Sequence, residues 1–491
     1  MKVSINIFMK ALKNRFTLLF VFVSIASIAQ PPDMFFVKFG GIGKDIGYST
    51  REIYNRQYII AGSTTSYGKG VSDAYIILID SMGQAKWEKT VGGQLADIAK
   101  CIVFNPIDSG FVFSGWTASF GNGGYDIYVV RIDKNGDVLW EKTFGTENWE
   151  FGNDCILAPD GNILVAATVD GDSASTDGLV MKIDINSGNE IWSRYIRGND
   201  DDELTRLTLN KKGNLLVAGN TRSFGDKNSD FLFYEIEQNT GDSIRCVTVG
   251  HSNKAETMYD FIFDKYNRIV LCGTYDTSVA NTGKNVSYIY IVDTNFNFIT
   301  DAYYGNFGSN EKFRSIASQT TFDDFVLART IYSSSTALNL QLLKLWYNGL
   351  SYLDAKDHGD QLNDEGYKII STSDHGFAVA GYRTNENTRD EDLYFLKIDE
   401  QLSFAPQVLF TNESFKIEAR KIYFFENELF FDNPKRDLLF YTVYNSEGRI
   451  SLQGATSNNK IKIESDISPG LYVFYVSGKS PQKLKFLVTK N

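Results

Sequence analysis

The 491-residue chain carries 49 Lys and Arg against 60 Asp and Glu, a net charge of −11. No basic tract offsets that balance, which argues against a surface for nucleic acid or anionic membrane, since both need clustered cations. Four cysteines with no CxxC or Cys/His spacing argue against a zinc site and suit a fold that does not depend on disulfides.

The chain starts with a basic segment (Lys2, Lys10, Lys13, Arg15), an apolar run from Phe16 to Ile25 and the small-residue ending Ser27-Ile28-Ala29. This order reads as a signal peptide over residues 1–29, with an apolar run too short for a stable membrane span. No cysteine near the cleavage site suggests a lipid anchor. The mature chain is expected to be exported, soluble and without a membrane span.

Internal repetition comes next. A short apolar run ending in a small residue recurs as IIAG at Gly62, FVFSG at Gly115, ILVAA at Ala167, LLVAG at Gly219, IVLCG at Gly273, FVLAR at Arg329 and FAVAG at Gly381, 52 to 56 residues apart. Each run precedes a strand such as DAYIILID from Asp73 or DIYVVRID from Asp126, then a Gly turn, then a tryptophan strand (Trp87, Trp140, Trp192). A fourth strand, as in ADIAKCIVF ending at Phe104, leads to the next run. Four short antiparallel strands with tight turns, copied seven times, predict an all-β seven-bladed β-propeller over residues 30–405. The near-continuous apolar strands suit coverage on both faces by neighbouring blades. Cys101, Cys155, Cys246 and Cys272 all fall in such strands, where buried free thiols are expected.

The two ends of the array complement each other. Phe35-Phe36-Val37-Lys38-Phe39-Gly40-Gly41 aligns with Trp87 to Gly93, whereas the seventh copy ends near Asp399 without a tryptophan strand. Residues 34–41 are therefore expected to complete the last blade and close the ring.

Beyond Gln407 the period is lost, and residues 408–491 read as short strands of a small Ig-like β-sandwich. Val443-Tyr444-Asn445-Ser446-Glu447-Gly448-Arg449, Ile467-Ser468-Pro469-Gly470-Leu471-Tyr472 and Lys485-Phe486-Leu487-Val488 resemble the hairpin, strand entry and last strand of the type IX secretion C-terminal sorting domain of Bacteroidota. The family's Y-P-N-P opening is absent, with Leu409-Phe410-Thr411-Asn412 nearest to it. The resemblance implies Asn445, Gly448, Pro469, Gly470, Tyr472 and Lys485 as sorting-signal residues. It also implies the type IX machinery as partner, and an outer-surface or extracellular destination. The blades are similar to repeats of secreted bacterial proteins.

An acidic residue opens each blade: Asp45, Asp97, Glu150, Glu203, Glu256, Glu311 and Glu365. These carboxylates either ring the channel or accept hydrogen bonds from turn amides. The second reading is favoured, because seven unpaired carboxylates would repel one another. Asp200, Asp201 and Asp202 form the densest acidic cluster and are a cation candidate beside that ring, but the alternating ligands of a calcium loop are missing, so a solvated loop is expected. Gly40-Gly41-Ile42-Gly43-Lys44 lacks the context of a phosphate loop and reads as a turn between blades. Asp374-His375-Gly376 aligns with the Asp160-Gly161 turn, which makes His375 a turn residue; Thr372-Ser373-Asp374-His375-Gly376 partly resembles an Asp-box turn but lacks the following Thr-Trp, and Lys182 to Trp192 is similar to a quinoprotein repeat through its shared turn alone. Among His251, His358 and His375 no catalytic triad can be nominated. The expected function is a non-enzymatic recognition or scaffold protein that binds a glycan or protein without a cofactor. The alternatives are a propeller hydrolase of extracellular polysaccharide, and a structural component of a surface layer or motility apparatus.

Overall fold

The computed structural model describes residues 34–403, apart from short stretches of which 277–284 is the longest, and strands between 423 and 488. The expected signal peptide therefore lies outside the described residues. Residues 35–398 form seven four-stranded antiparallel sheets. Their innermost strands are Asp45–Ile53, Asp97–Phe104, Glu150–Leu157, Asp202–Leu209, Glu256–Phe263, Lys312–Ser318 and Asp364–Ser371, and they contact one another all the way round, blade 7 to blade 1 included. The protein is a seven-bladed β-propeller. Phe35–Phe39 is the outer strand of blade 7, with Phe35 opposite Lys397 and Phe39 opposite Leu393.

The core lies between blades. The third strand of blade 1, Asp73–Ile79, is buried along its whole length. One cluster joins Ile59 and Ile76 of blade 1 to Phe113 and Tyr128 of blade 2, and another joins Tyr58 and Tyr75 to Phe35 and Phe395 across the closure. Burial on both faces explains why these strands are continuously apolar.

At the rim, each tryptophan clasps the next blade. Trp87 donates through Nε1 to the Lys134 carbonyl (3.1 Å), and Trp140 to that of Ile185 (3.0 Å). The turn glycines beneath them, Gly136 (φ +82°) and Gly188 (φ +69°), need both a left-handed backbone and a bare face, since a Cβ would sit about 3 Å from the indole. Phe35 packs on Gly83 in the same way, so the N-terminal strand supplies the missing clasp as well as the missing edge.

Every inner strand carries a one-residue β-bulge at the same place. The recurring small residue of the apolar runs lies opposite it: a Cβ on Gly62 or Gly115 would stand 1.8 Å from the carbonyl oxygen of Ile46 or Ile98. Bulges bend a strand and re-aim side chains. Just beyond the bulge, side chains latch each blade to the next. Ser49 accepts from Ile102 N (3.3 Å), Cys101 donates to the Cys155 carbonyl (3.2 Å) and Asp154 accepts from Leu207 N (3.1 Å). Arg206 donates to Asp260 (3.1 Å), and Ser315 accepts from Ile369 N (3.2 Å).

All four cysteines are free; Cys101, Cys155 and Cys272 are buried, but Cys246 is exposed because it lies on an outer strand. In the C-terminal region, Tyr423–Phe425, Glu428–Phe430 and Lys460–Lys462 form one sheet, and Ile450–Thr456, Leu439–Tyr444, Gly470–Ser477 and Gln482–Val488 another. Gly470, Tyr472 and Lys485 fall on the last two strands, while Asn445, Gly448 and Pro469 lie outside the described residues.

Candidate functional site

The predicted acidic ring divides in two. Asp45 accepts from Gly41 N (3.0 Å) and Ser66 Oγ (2.6 Å); Asp97 from Gly93 N (2.7 Å), Thr117 and Ser119; and Glu150 from Thr146 N and Oγ1. Glu256 accepts from His251 N (2.8 Å), and Glu311 pairs with Arg329. These carboxylates tie together the loops of one face and are architecture. In blades 4 and 7, however, the equivalent positions are Asp202, opposite Thr221, and Asp364, opposite Arg383. Glu203 and Glu365 are one residue further along, and a one-residue step on a strand reverses the face. Glu203 is exposed, and Glu365 lies 3.2 Å from Arg314 and 3.6 Å from Lys312 of blade 6.

Asp200, Asp201 and Asp202 are not brought together. Asp200 accepts from Asp201 N, Asp201 pairs with Arg222 (3.5 Å), and buried Asp202 accepts from Thr221 Oγ1 (2.5 Å). No group of three or more metal-ligating side chains occurs among the described residues. Asp374 closes its turn on Thr372 and Gly376 with Lys397 at 3.0 Å, and His375 takes the turn's left-handed position at φ +66°. Neither the Gly40–Lys44 segment nor the histidines assemble a catalytic group: Lys44 pairs with Glu391 (3.1 Å) and His251 with Asp301 (2.8 Å), while burial lowers the His358 imidazole to about 4.

The bulge residues are Tyr48, Lys100, Asn153, Thr205, Tyr259, Arg314 and Tyr367, and it is among these that side chains converge. Lys100 Nζ stands 3.9 Å over the Tyr48 ring, Tyr48 and Tyr367 meet edge to face at 5.2 Å, and Arg314 packs between Tyr367 (5.0 Å) and Tyr259 (5.2 Å). Five of the seven therefore form one arc of amine, phenols and guanidinium across blades 5, 6, 7, 1 and 2. Each of the five is partly exposed.

The electrostatics of that arc are uneven. Glu365 is held below the usual carboxylate range by Arg314 and Lys312, against the cost of its burial. Lys100 has no carboxylate within ion-pair distance among the described residues; desolvation, then repulsion from Arg314 and Arg206, lowers its ammonium to about 8. Tyr367 stays protonated, pushed up by desolvation and by Glu365. The arc thus offers an amine near neutrality, a fixed cation and phenolic donors, which together support proton transfer at an anionic substrate. Sequence reading missed it because these residues share no type; the one available signal was their common place, three residues after Asp45, Asp97, Glu150, Asp202, Glu256, Glu311 and Asp364, at a period of 52 to 55.

No family model matches the chain. A curated relative, the regulatory protein FlaEY of Caulobacter vibrioides, is 26% identical over 164 residues, 29% of this chain and 17% of that protein. The chain thus matches less than a fifth of that relative's length. Among solved structures, a PL25 ulvan lyase bound to a GlcA-Rha3S oligosaccharide is 11% identical with a TM-score of 0.51, covering 75% of this chain and 96% of the lyase. A fungal AA5 alcohol oxidase in complex with copper is 13% identical, with a TM-score of 0.46 over 93% and 98% of the two chains.

The likeness to the lyase is one of fold, and it corrects one expectation. The sequence, in which no triad can be nominated, predicts a non-enzymatic protein. That inference fails, because the same architecture carries a polysaccharide lyase and because the channel holds ionisable groups that triad searching does not find.

Proposed function

We propose that the protein is a polysaccharide-active enzyme that cleaves a uronate-containing chain by β-elimination at the channel arc. The observation that carries this reading is the place of Lys100: its amine stands 3.9 Å over the Tyr48 ring with no carboxylate within ion-pair distance among the described residues, and desolvation with repulsion from Arg314 and Arg206 lowers it to about 8. Neutral Lys100 takes the proton from the carbon beside the uronate carboxylate. Arg314 offsets the charge that develops on that carboxylate, a role worth several kcal/mol in a site where water is restricted. The C–H electron pair forms the new C=C bond, the C–O bond to the neighbouring sugar breaks, and the Tyr367 hydroxyl protonates the departing oxygen. Hydrolysis by a carboxylate pair is less well supported. It needs one carboxyl kept protonated, and Glu365 is held in the opposite direction.

Incubation of the full chain with ulvan and other uronate polysaccharides tests this reading. The expected product carries the ultraviolet absorbance of an unsaturated uronate, at a rate that rises with pH through about 8 as Lys100 loses its proton. Lys100→Met should lower the rate by about 10²- to 10⁴-fold, the usual contribution of a general base, without loss of stability. Reducing ends without the absorbance would replace elimination by hydrolysis, and no cleavage at all would remove the enzymatic reading.

We further propose export by the 1–29 segment and delivery to the outer surface by residues 408–491 acting as a type IX sorting domain. The basic-apolar-small order of the N-terminus and the three C-terminal segments given above support this. Residues 408–491 fused to a passive exported reporter should carry it to the surface of a type IX-competent host; periplasmic retention would refute the proposal.

A further inference from the structure

One end of the channel arc runs into an aromatic cluster that the proposed chemistry does not use. Trp116 and Tyr125 of blade 2, Trp149 of the turn between blades 2 and 3, and Phe151 at the start of blade 3's inner strand pack together. Trp116 and Tyr125 lie 4.5 Å apart, Tyr125 and Trp149 5.2 Å, Tyr125 and Phe151 5.5 Å, and Trp116 and Phe151 5.9 Å. The cluster adjoins the reacting arc, because Trp116 pairs with Ile98 on the strand that bears Lys100 two residues on.

Trp149 is 54% exposed, yet it is held firmly. Its carbonyl accepts from Asp170 N (2.9 Å), and the following residue, Glu150, donates its N–H to the Tyr125 carbonyl (2.7 Å). Gly124 is bare where the indole lies: a Cβ there would stand 2.2 Å from the ring's Cδ1. A large, exposed, conformationally fixed indole backed by two further rings, Tyr125 and Phe151, gains nothing for the core it leaves. It is, however, preorganised to receive a flat apolar face, which lowers the entropic cost of binding.

Resting on the reading of the channel as a polysaccharide site, we propose that Trp149, backed by Tyr125 and Phe151, is a distal subsite. It stacks on the C–H face of a pyranose belonging to the same chain, some sugars away from the linkage that reacts at Lys100. The occupant follows from continuity: a chain entering the channel past Phe151 must cross this cluster. The subsite holds long chains and ignores short ones.

The test uses the full chain with Trp149→Ala, Trp149→Phe and Lys100→Met. With long ulvan, Trp149→Ala should raise KM roughly 3- to 10-fold, the worth of one aromatic stacking contact. The shortest cleavable oligosaccharide should show unchanged kcat/KM, and Trp149→Phe should restore most of the loss. Affinity electrophoresis in ulvan-containing gels reads binding without turnover: wild type and Lys100→Met should be retarded, and Trp149→Ala less so. Equal retardation of Trp149→Ala and wild type, or equal loss on short and long chains, overturns the subsite. Retardation that depends on Trp149 in a protein that cleaves nothing would keep the subsite and discard the elimination chemistry.

Discussion

The rim and the channel of the propeller are built from the same repeat but obey opposite rules. At the rim, Trp87, Trp140 and Trp192 each sit on a turn glycine of the next blade, Gly136, Gly188 and Gly241, and Phe35 does the same to Gly83. In the channel, the seven bulge positions hold tyrosine three times and four other residue types once each. Repetition marks the interface that every blade must make. Its loss at a geometrically constant place marks where the chain is free to carry chemistry.

The sharpest way to break that comparison is at the latch, where channel and architecture meet. Asp260 is buried and takes Arg206 at 3.1 Å, Lys368 at 2.7 Å and Ser315 at 2.5 Å. Asp260→Asn leaves Lys368 without its counter-charge and Arg206 with Asp154 alone (3.8 Å), and should cost about 3–5 kcal/mol, read as a lowered denaturant midpoint. The same pair of cations brings the Asp260 carboxyl down to about 2. Because the folded value lies below the ordinary 3.8, the unfolded chain binds its proton first as pH falls. The stabilisation from Asp260 is therefore complete above pH 3.8 and is lost toward pH 2; His358, lowered from 6.5 to about 4, adds a loss between those values. Acid titration of the denaturant midpoint checks both limbs, and Asp260→Asn should remove the lower one.

A pair of glycine substitutions sharpens the comparison further. Gly115→Ala places a methyl 1.8 Å from the Ile98 carbonyl beside the bulge that aims Lys100. It should cost about 3 kcal/mol, the upper end of overpacking, and should also reduce turnover. Gly136→Ala at the rim meets a φ of +82° and the edge of Trp87, costs about 1–2 kcal/mol, and should leave turnover unchanged. Equal effects on turnover would mean that the bulge does not set the chemistry.

Much of the architecture was legible because it repeats: the spacing of IIAG, FVFSG and their copies, the tryptophan strands, and the unmatched Phe35–Phe39 segment each pointed to the blade that the structure shows. The acidic ring was legible only in part. Asp45, Asp97, Glu150, Glu256 and Glu311 stand at the openings of their blades, whereas Asp202 and Asp364, not Glu203 and Glu365, hold that position in blades 4 and 7. An acidic pair at the start of a strand gives no sign of which member faces the turn. The arc of Tyr48, Lys100, Tyr259, Arg314 and Tyr367 was not legible, since its members lie about fifty residues apart and differ in kind.

The linear chain by itself therefore determined the number of blades, the strand that closes the ring and the glycines that the turns require, because each is a local demand made once per repeat. Tertiary structure alone decided which side of every inner strand meets solvent, since a single bulged residue shifts that side and leaves no compositional trace. It also alone decided that Lys100, without a carboxylate at ion-pair distance among the described residues, stands against a tyrosine face and is repelled by Arg314 and Arg206, because burial and charge at that place are sums over several blades.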